Sequence, residues 1–307
     1  MDFRQLNTMI TLIQSDFSVS KTAEKLFLVQ SAVSQQLKRL EQELDAELFI
    51  RKGKRLTGLT ELGLQVEKQA HDSLKAVNNI RLLADDYKHR SEGILRIGCT
   101  HTQARYILPP VIKQFNRSFP HIELQMHQGS PKQLVQWAVD DEVDFSICTE
   151  ELAQSSKLES ISCYQWNRSL ITLPDHPLQT LKNITLKDLC RYPIITYVLG
   201  FTGRRDFNES FARENLKPSI VLSAADTDII KAYVLDGLGI GVIASMAYDE
   251  QIDNSCVHRD LGHLFPWETT RIAYQKNKYI RHYQQTFIDL FMRFVREDKS
   301  GRFKTTS

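Results

Sequence analysis

The stretch Ser20-Lys21-Thr22-Ala23-Glu24-Lys25-Leu26, with Val33-Ser34-Gln35-Gln36-Leu37-Lys38-Arg39-Leu40-Glu41 close behind it, decides how the start of the chain folds. Two helices that cross closely need a small residue at the crossing, and Ala23 supplies one. Leu26, Val33 and Leu37 can serve as the apolar anchors beneath the turn. Ser18 and Ser20 can cap the first of these helices and Ser31 the second. Upstream, Leu6, Met9, Ile10, Leu12 and Ile13 recur at helical spacing. Downstream, Leu48-Phe49-Ile50-Arg51 reads as a strand and Arg51-Lys52-Gly53-Lys54-Arg55 as a basic turn, with Leu56-Thr57 resuming an extended run. Three helices followed by a basic hairpin is the order of a winged helix-turn-helix.

In that arrangement Gln30, Ser31, Ser34, Gln35 and Lys38 face outward from the second helix of the pair, with Ser20 and Thr22 at the start of the first. Short polar side chains and amides on such a helix can reach base edges in the major groove. Lys38, Arg39, Arg51, Lys52, Lys54 and Arg55 suit phosphates, or the minor groove for a wing. A charge run alone would describe any solvated helical face. Order, spacing and basic hairpin together point to promoter DNA as a partner.

The remaining sequence is longer than one small domain requires. The 307 residues suggest two domains or three, and 42% hydrophobic with 25% charged residues is ordinary globular composition. The net charge of +2 puts any nucleic-acid signal in a local patch. From Thr60 to Arg90, Val66, Ala70, Ser73, Val77, Ile80, Ala84 and Tyr87 follow alternating four- and three-residue steps, the stripe of one long helix that pairs with a second copy. From Ser91 onward strands alternate with helices: strands at 94–97, 122–126, 143–147, 169–173, 194–197, 220–223 and 270–274, and helices at 105–119, 131–139, 186–190, 203–215, 227–235 and 283–295. That alternation argues for α/β units on mostly parallel sheets. The polar end, Lys299 to Ser307, reads as frayed. The expected domains are 1–59, a linker helix 60–90 and an α/β domain 91–307.

Three loops place small polar residues at strand ends: Thr100 to Tyr106, His127 to Pro131, and Cys148-Thr149-Glu150. Hydroxyls and amides at a helix N-terminus can cradle an anion, and ligands of open α/β folds sit beyond the carboxyl ends of strands. Trp166-Asn167-Arg168, near the crossover between subdomains, and Gly200-Phe201-Thr202-Gly203-Arg204 add to the set. Each loop alone is what helix capping produces everywhere; several facing one cleft suggest a pocket.

Residues 1–62 resemble the N-terminal domain of LysR-type transcriptional regulators. The resemblance is carried by Ser20 to Leu26, Gln30-Ser31-Ala32-Val33-Ser34, Leu40-Glu41-Gln42-Glu43-Leu44, Leu48-Phe49-Ile50-Arg51 and Thr57 to Gly63. It implies a linker helix and a periplasmic-binding-protein-like, two-subdomain effector domain after the winged helix, with subdomain I at 91–163 and 267–300 and subdomain II at 164–266. Longer stretches are similar to the CysB subgroup: Thr100-His101-Thr102-Gln103-Ala104-Arg105-Tyr106, Met126-His127-Gln128-Gly129-Ser130-Pro131, Cys163-Tyr164-Gln165-Trp166-Asn167-Arg168, Gly200 to Arg204 and Gly237 to Ala247. That similarity implies control of sulfate assimilation and cysteine biosynthesis, with an acetylserine inducer and sulfate, sulfide or thiosulfate as counter-signals. It implies an anion held by Thr100, Thr102, Gln103, Thr149 and Thr202, with Gln128, Gly129, Ser130 and Trp166 lining the same cleft. It further implies a homodimer or homotetramer that contacts RNA polymerase. A relative that governs use of organic sulfonates is the alternative.

No nucleophile elbow, HExxH, P-loop or dinucleotide fingerprint is present, so neither catalysis nor a cofactor is expected. Gly237-Leu238-Gly239-Ile240-Gly241 reads as a helix end and turn. The five cysteines are scattered without a CxxC pair, which argues against a metal or disulfide framework and for reduced, buried thiols. Without a signal-like start or an apolar run of about 18 residues, the reading is a cytoplasmic protein without a membrane partner.

Overall fold

The computed structural model describes residues 1–53, 55–88, 91–149, 151–201, 203–250, 252–298 and 304–305. The chain divides into two compact units, Met1–Lys88 and His89–Ser307.

In the first unit, α1 (Phe3–Gln14), α2 (Val19–Lys25) and α3 (Gln30–Glu43) precede a hairpin of β1 (Phe49–Lys52) and β2 (Arg55–Leu59), and α4 (Glu61–Lys88) follows. The crossing read from the sequence is present: Ala23, Val33 and Leu37 are buried with Met9, Leu12 and Leu40. Ser18 caps α2 by accepting from the Lys21 amide. Ser31 does not cap α3. It lies inside the first turn, and the capping position belongs to Val29, which has no side-chain acceptor. The wing hangs from Glu41, whose carboxylate accepts from the Leu48 and Phe49 amides and pairs with Arg51. Lys54 lies outside the described residues. The α4 stripe divides in two. Val66, Ala70 and Leu74 join the core of their own unit, whereas Ile80, Leu83 and Tyr87 are exposed. The heptad pattern could not show this division, because one stripe serves both purposes.

The second unit holds two sheets. The chain runs β3 (Gly93–Cys99), a π-helical turn Gln103–Ile107, α5 (Leu108–Ser118), β4 (Ile122–Gln128), α6 (Pro131–Val139), β5 (Phe145–Cys148) and β6 (Leu158–Trp166). It continues through β7 (Arg168–Thr172), α7 (Leu186–Leu189), β8 (Ile194–Tyr197), α8 (Arg204–Arg213), β9 (Ile220–Ala224), α9 (Thr227–Leu235), β10 (Ile240–Ala244) and β11 (Val257–Asp260). It closes with β12 (Glu268–Gln275), α10 (His282–Glu297) and β13 (Lys304–Thr305). The six-stranded sheet has the order β13-β6-β12-β5-β3-β4, and the five-stranded one β11-β7-β10-β8-β9. Both are mixed rather than mostly parallel. Among the described residues only β4, β3 and β5, and β9, β8 and β10, form parallel pairs, and the strands beyond them run antiparallel.

Several strands were hidden from the sequence reading. Gly239-Ile240-Gly241 leads into β10, a fully buried strand, because glycine lets the backbone approach Pro193 and Ile171 where a Cβ would collide. Lys304 and Thr305, expected to be frayed, pair with Gln165 and Tyr164 of β6, and the Lys304 ammonium stands 3.9 Å from the Trp267 ring centre. The first sheet extends through Trp166, and the second begins at Arg168.

Gly63, near the start of α4, abuts the Leu48 carbonyl so closely that an added Cβ would overlap it. Gly63→Ala is expected to destabilise the chain by about 1–3 kcal/mol, read as a lower denaturation midpoint; an unchanged midpoint would contradict this packing.

Candidate functional site

On α3, Gln30, Ser31, Ser34, Gln35, Lys38 and Arg39 are all exposed along one helix, as are Ser20, Lys52 and Arg55 nearby. Thr22 is a correction. It is fully buried, and its hydroxyl donates to the Ser18 carbonyl at 2.8 Å, so it positions the helix and does not reach DNA. Arg51 is held by Glu41 at 2.5 Å, which ties part of its charge to the wing itself.

In the second unit the three strand-end loops meet at one edge. Adjacent parallel strands set this placement: Cys99 pairs with Gln128 and with Ile147. The Gly129 amide donates to the Cys99 carbonyl, which brings the second loop against the first. Thr100, Thr102 and Gln103 are buried there. Gln103 accepts from the Tyr164 hydroxyl at 2.8 Å. Thr149 accepts from the Trp166 indole at 3.2 Å and lies 3.4 Å from the Thr270 hydroxyl. Trp166 itself is buried, and Gln128 is exposed. The Ser130 hydroxyl is already engaged in a capping box with Gln133. Thr202 lies outside the described residues; its neighbour Gly203 accepts from Arg168.

The Thr102 hydroxyl is buried beside the Tyr197 phenol and makes no well-formed hydrogen bond. That phenol bonds Thr227 at 2.6 Å and the Ala244 amide at 3.1 Å. Burial raises the Tyr197 phenol. The Ala244 amide, the Thr227 and Thr102 hydroxyls and the Arg168 charge all oppose that rise. The two arginines that close these loops in sequence are engaged elsewhere: Arg105 stands 3.6 Å from Asp228, and Arg204 donates to Asn208 and the Tyr197 carbonyl.

Two features had no sequence signal. The first is a polar cluster joining the segment after β3 to α9. His101 lies 3.2 Å from Asp228, Tyr106 donates to Asp228, and Lys231 donates to Tyr106 at 3.2 Å and pairs with Asp253 at 2.5 Å. Burial would raise the Asp228 carboxyl, but the Tyr106 and His101 hydrogen bonds and the Lys231 charge outweigh it and hold the group low. The second is the buried pair Arg168–Glu268. Their separation in the chain concealed both.

The chain matches two family models: "Bacterial regulatory helix-turn-helix protein, lysR family" over residues 3–64 and "LysR substrate binding domain" over residues 88–296. It belongs to the LysR family of DNA-binding transcriptional regulators, and these are not enzymes. It is 40% identical to the transcriptional regulator SsuR of Burkholderia cenocepacia over 97% of this chain and 96% of that one. It is 38% identical to CysB of Haemophilus influenzae, over 95% and 90%. It is also 38% identical to cbl of Escherichia coli, over 94% and 92%. The crystal structure of the cofactor-binding domain of Cbl superposes with a TM-score of 0.63 at 38% identity, covering 65% of this chain and 88% of that one. Full-length OxyR of Pseudomonas aeruginosa shares the fold at 22% identity, with a TM-score of 0.67 over 100% and 98%. Among the described residues no helix is long and apolar enough to cross a membrane.

Ser34→Ala and Gln35→Ala should lower preference for the cognate operator. Lys38→Ala should weaken all DNA binding and reduce the slope of log affinity against log salt by about 1. Operator and random-DNA titrations across salt separate these, and an unchanged slope would remove Lys38 from the phosphate contacts. Thr102→Val replaces a buried hydroxyl that lacks a well-formed hydrogen bond with a methyl group. It should raise the stability of the ligand-free protein by on the order of 1 kcal/mol, seen in thermal melts; a drop of similar size would show that the hydroxyl is satisfied.

Proposed function

We propose that this regulator controls genes of sulfur assimilation and cysteine biosynthesis. In this reading it responds to an acetylserine-type inducer and to sulfate- or thiosulfate-type anions in the cleft of the second unit. The buried Thr102 hydroxyl, without a well-formed hydrogen bond and next in the chain to the buried Gln103, is the observation that carries the effector site. Such hydroxyls, amides and helix ends bind an anion without a full countercharge. The sulfur assignment is supported by similarity to proteins named CysB. The near-equal identities to SsuR, CysB and cbl keep a second reading open, a regulator of organic sulfonate use.

On this reading the domains are 1–59, 60–90 and 91–307, and the protein is a cytoplasmic activator. The exposed Ile80, Leu83 and Tyr87 of α4 pair two copies, and effector domains associate further into a tetramer. Gln30, Ser31, Ser34 and Gln35 read promoter bases, and a ligand that favours one arrangement of the two subdomains shifts DNA bending and contact with RNA polymerase. Calorimetric titration of the chain with acetylserines, sulfate and thiosulfate tests the proposal. Saturable binding that weakens in Thr102→Val is expected; heat of dilution alone for every ligand would sink the sulfur assignment.

A further inference from the structure

Between α2 and α3 the chain presents three apolar residues in succession to solvent: Phe27 at 96% exposure, Leu28 at 39% and Val29 at 67%. A run of exposed apolar residues is unfavourable in a soluble protein unless it serves a function. The turn that carries the run is fixed by the backbone. The Phe27 amide donates to the Glu24 carbonyl at 3.2 Å, and the Leu28 amide to the Ala23 carbonyl at 2.8 Å. Gln30 and Ser31 follow at once, exposed at the start of α3, with Ser34 and Gln35 exposed further along the same helix.

The fold does not ask for these side chains. Phe27 has a φ of +54°, a region where glycine or asparagine is at ease and a bulky residue is strained. Its ring buries almost nothing in return. Val29 occupies the capping position of α3 and offers no side-chain acceptor to the first amides. Serine, threonine, aspartate or asparagine would offer one. Each position therefore holds a residue that stabilises this unit less than an ordinary alternative would. Both depart in the same direction, toward exposed apolar surface. Outliers of this kind motivate a functional reading.

The place of the run in the unit decides its partner. The helix-turn-helix family model spans residues 3–64. In a helix-turn-helix the N-terminal residues of the second helix meet base edges in the major groove. The run leads directly into that end of α3, so its apolar surface is continuous with the surface that meets DNA. Base edges in the major groove present hydrogen-bonding groups and one distinctive apolar group, the C5-methyl of thymine. We propose that Val29 and Phe27 read thymine through its C5-methyl group, beside the bases met by Gln30 and Ser31. They thereby add an apolar determinant to operator choice. The proposal rests on the reading of α3 as the helix that meets the bases.

Duplexes would be selected from a randomised pool by the full-length chain, and each thymine of the selected site replaced in turn by deoxyuridine. That exchange removes the methyl group and keeps the O4 acceptor. The expected result is a loss of about fourfold in affinity at one thymine position or more, the worth of burying one methyl-sized group. Val29→Ser supplies a cap and Phe27→Asn suits the positive φ, so both variants should melt no lower than the unaltered chain. In each, the ratio between thymine and deoxyuridine duplexes should fall toward one at that position. Equal binding of the two duplexes by the unaltered chain at every position would overturn the proposal, and this comparison needs no variant. A ratio undiminished in both variants would overturn it too, as would an equal fall in affinity for both duplexes. A change of oligomeric state in the variants, seen by light scattering with DNA affinity unaltered, would assign the run to a second copy and overturn it. Gln35→Ala separates the two readings. Lost sequence preference in that variant without any deoxyuridine effect would leave α3 as the reading helix and defeat only this proposal. No effect of either would defeat both.

Discussion

The second unit depends on how its chain is held at the two crossovers between its sheets. Asn167 is buried at the first. Its side chain accepts from the Arg168 amide at 2.7 Å and donates to the Phe265 carbonyl at 2.9 Å on the second crossover. Its own carbonyl accepts from the Ser245 amide, and the Leu261 amide donates to the Arg168 carbonyl. One side chain thus joins segments about a hundred residues apart and sets where each sheet begins. Arg168 and Glu268 add an ion pair at the same place. A buried ion pair is weak evidence for stability, since desolvation offsets most of its attraction. Its geometric role, tying the start of β7 to the start of β12, is the stronger reason for it to be there.

Away from the crossovers the subdomains are joined by the cluster around Asp228. His101, Arg105 and Tyr106 come from the segment after β3, and Asp228 and Lys231 from α9. The two connections differ in kind. The crossover bonds are buried and involve the backbone, whereas the Asp228 carboxylate is nearly half exposed. Exposed ion pairs contribute roughly 0–1 kcal/mol each. A fixed crossover with a weaker contact across the opening is the arrangement in which a ligand's differential affinity can shift the balance between two arrangements.

How much of this was legible in the sequence follows from the range of each signal. The α2–α3 crossing was readable because Ala23, Val33 and Leu37 are fixed by helical period alone. The strand-end loops were readable because capping residues follow strands within a few positions. Thr22 shows the limit of that reasoning. Its hydroxyl folds back on the Ser18 carbonyl, a choice that residue type does not reveal. β6 and β11 were missed because no clean alternation marks them, and β10 because its glycines mimic a turn. Arg168 was visible as part of a motif, but its partner Glu268 is brought to it only by the pairing of β6 with β12, where Trp166 lies opposite Glu268.

The cysteines beside the strand-end loops bear on the chemistry available there. Cys99 ends β3 and Cys148 ends β5, immediately before Thr100 and Thr149, and both are buried. Burial pushes the Cys99 thiol up to about 12, and the Cys163 thiol likewise. The thiolate is the form that reacts with oxidants and metals, and a thiol in an apolar setting is largely inert. At Cys99 the sulfur therefore fills space behind the loop, as a small apolar residue would. With that thiol held in its unreactive form, the polar chemistry at this edge rests on the Thr100, Thr102 and Thr149 hydroxyls and the Gln103 amide.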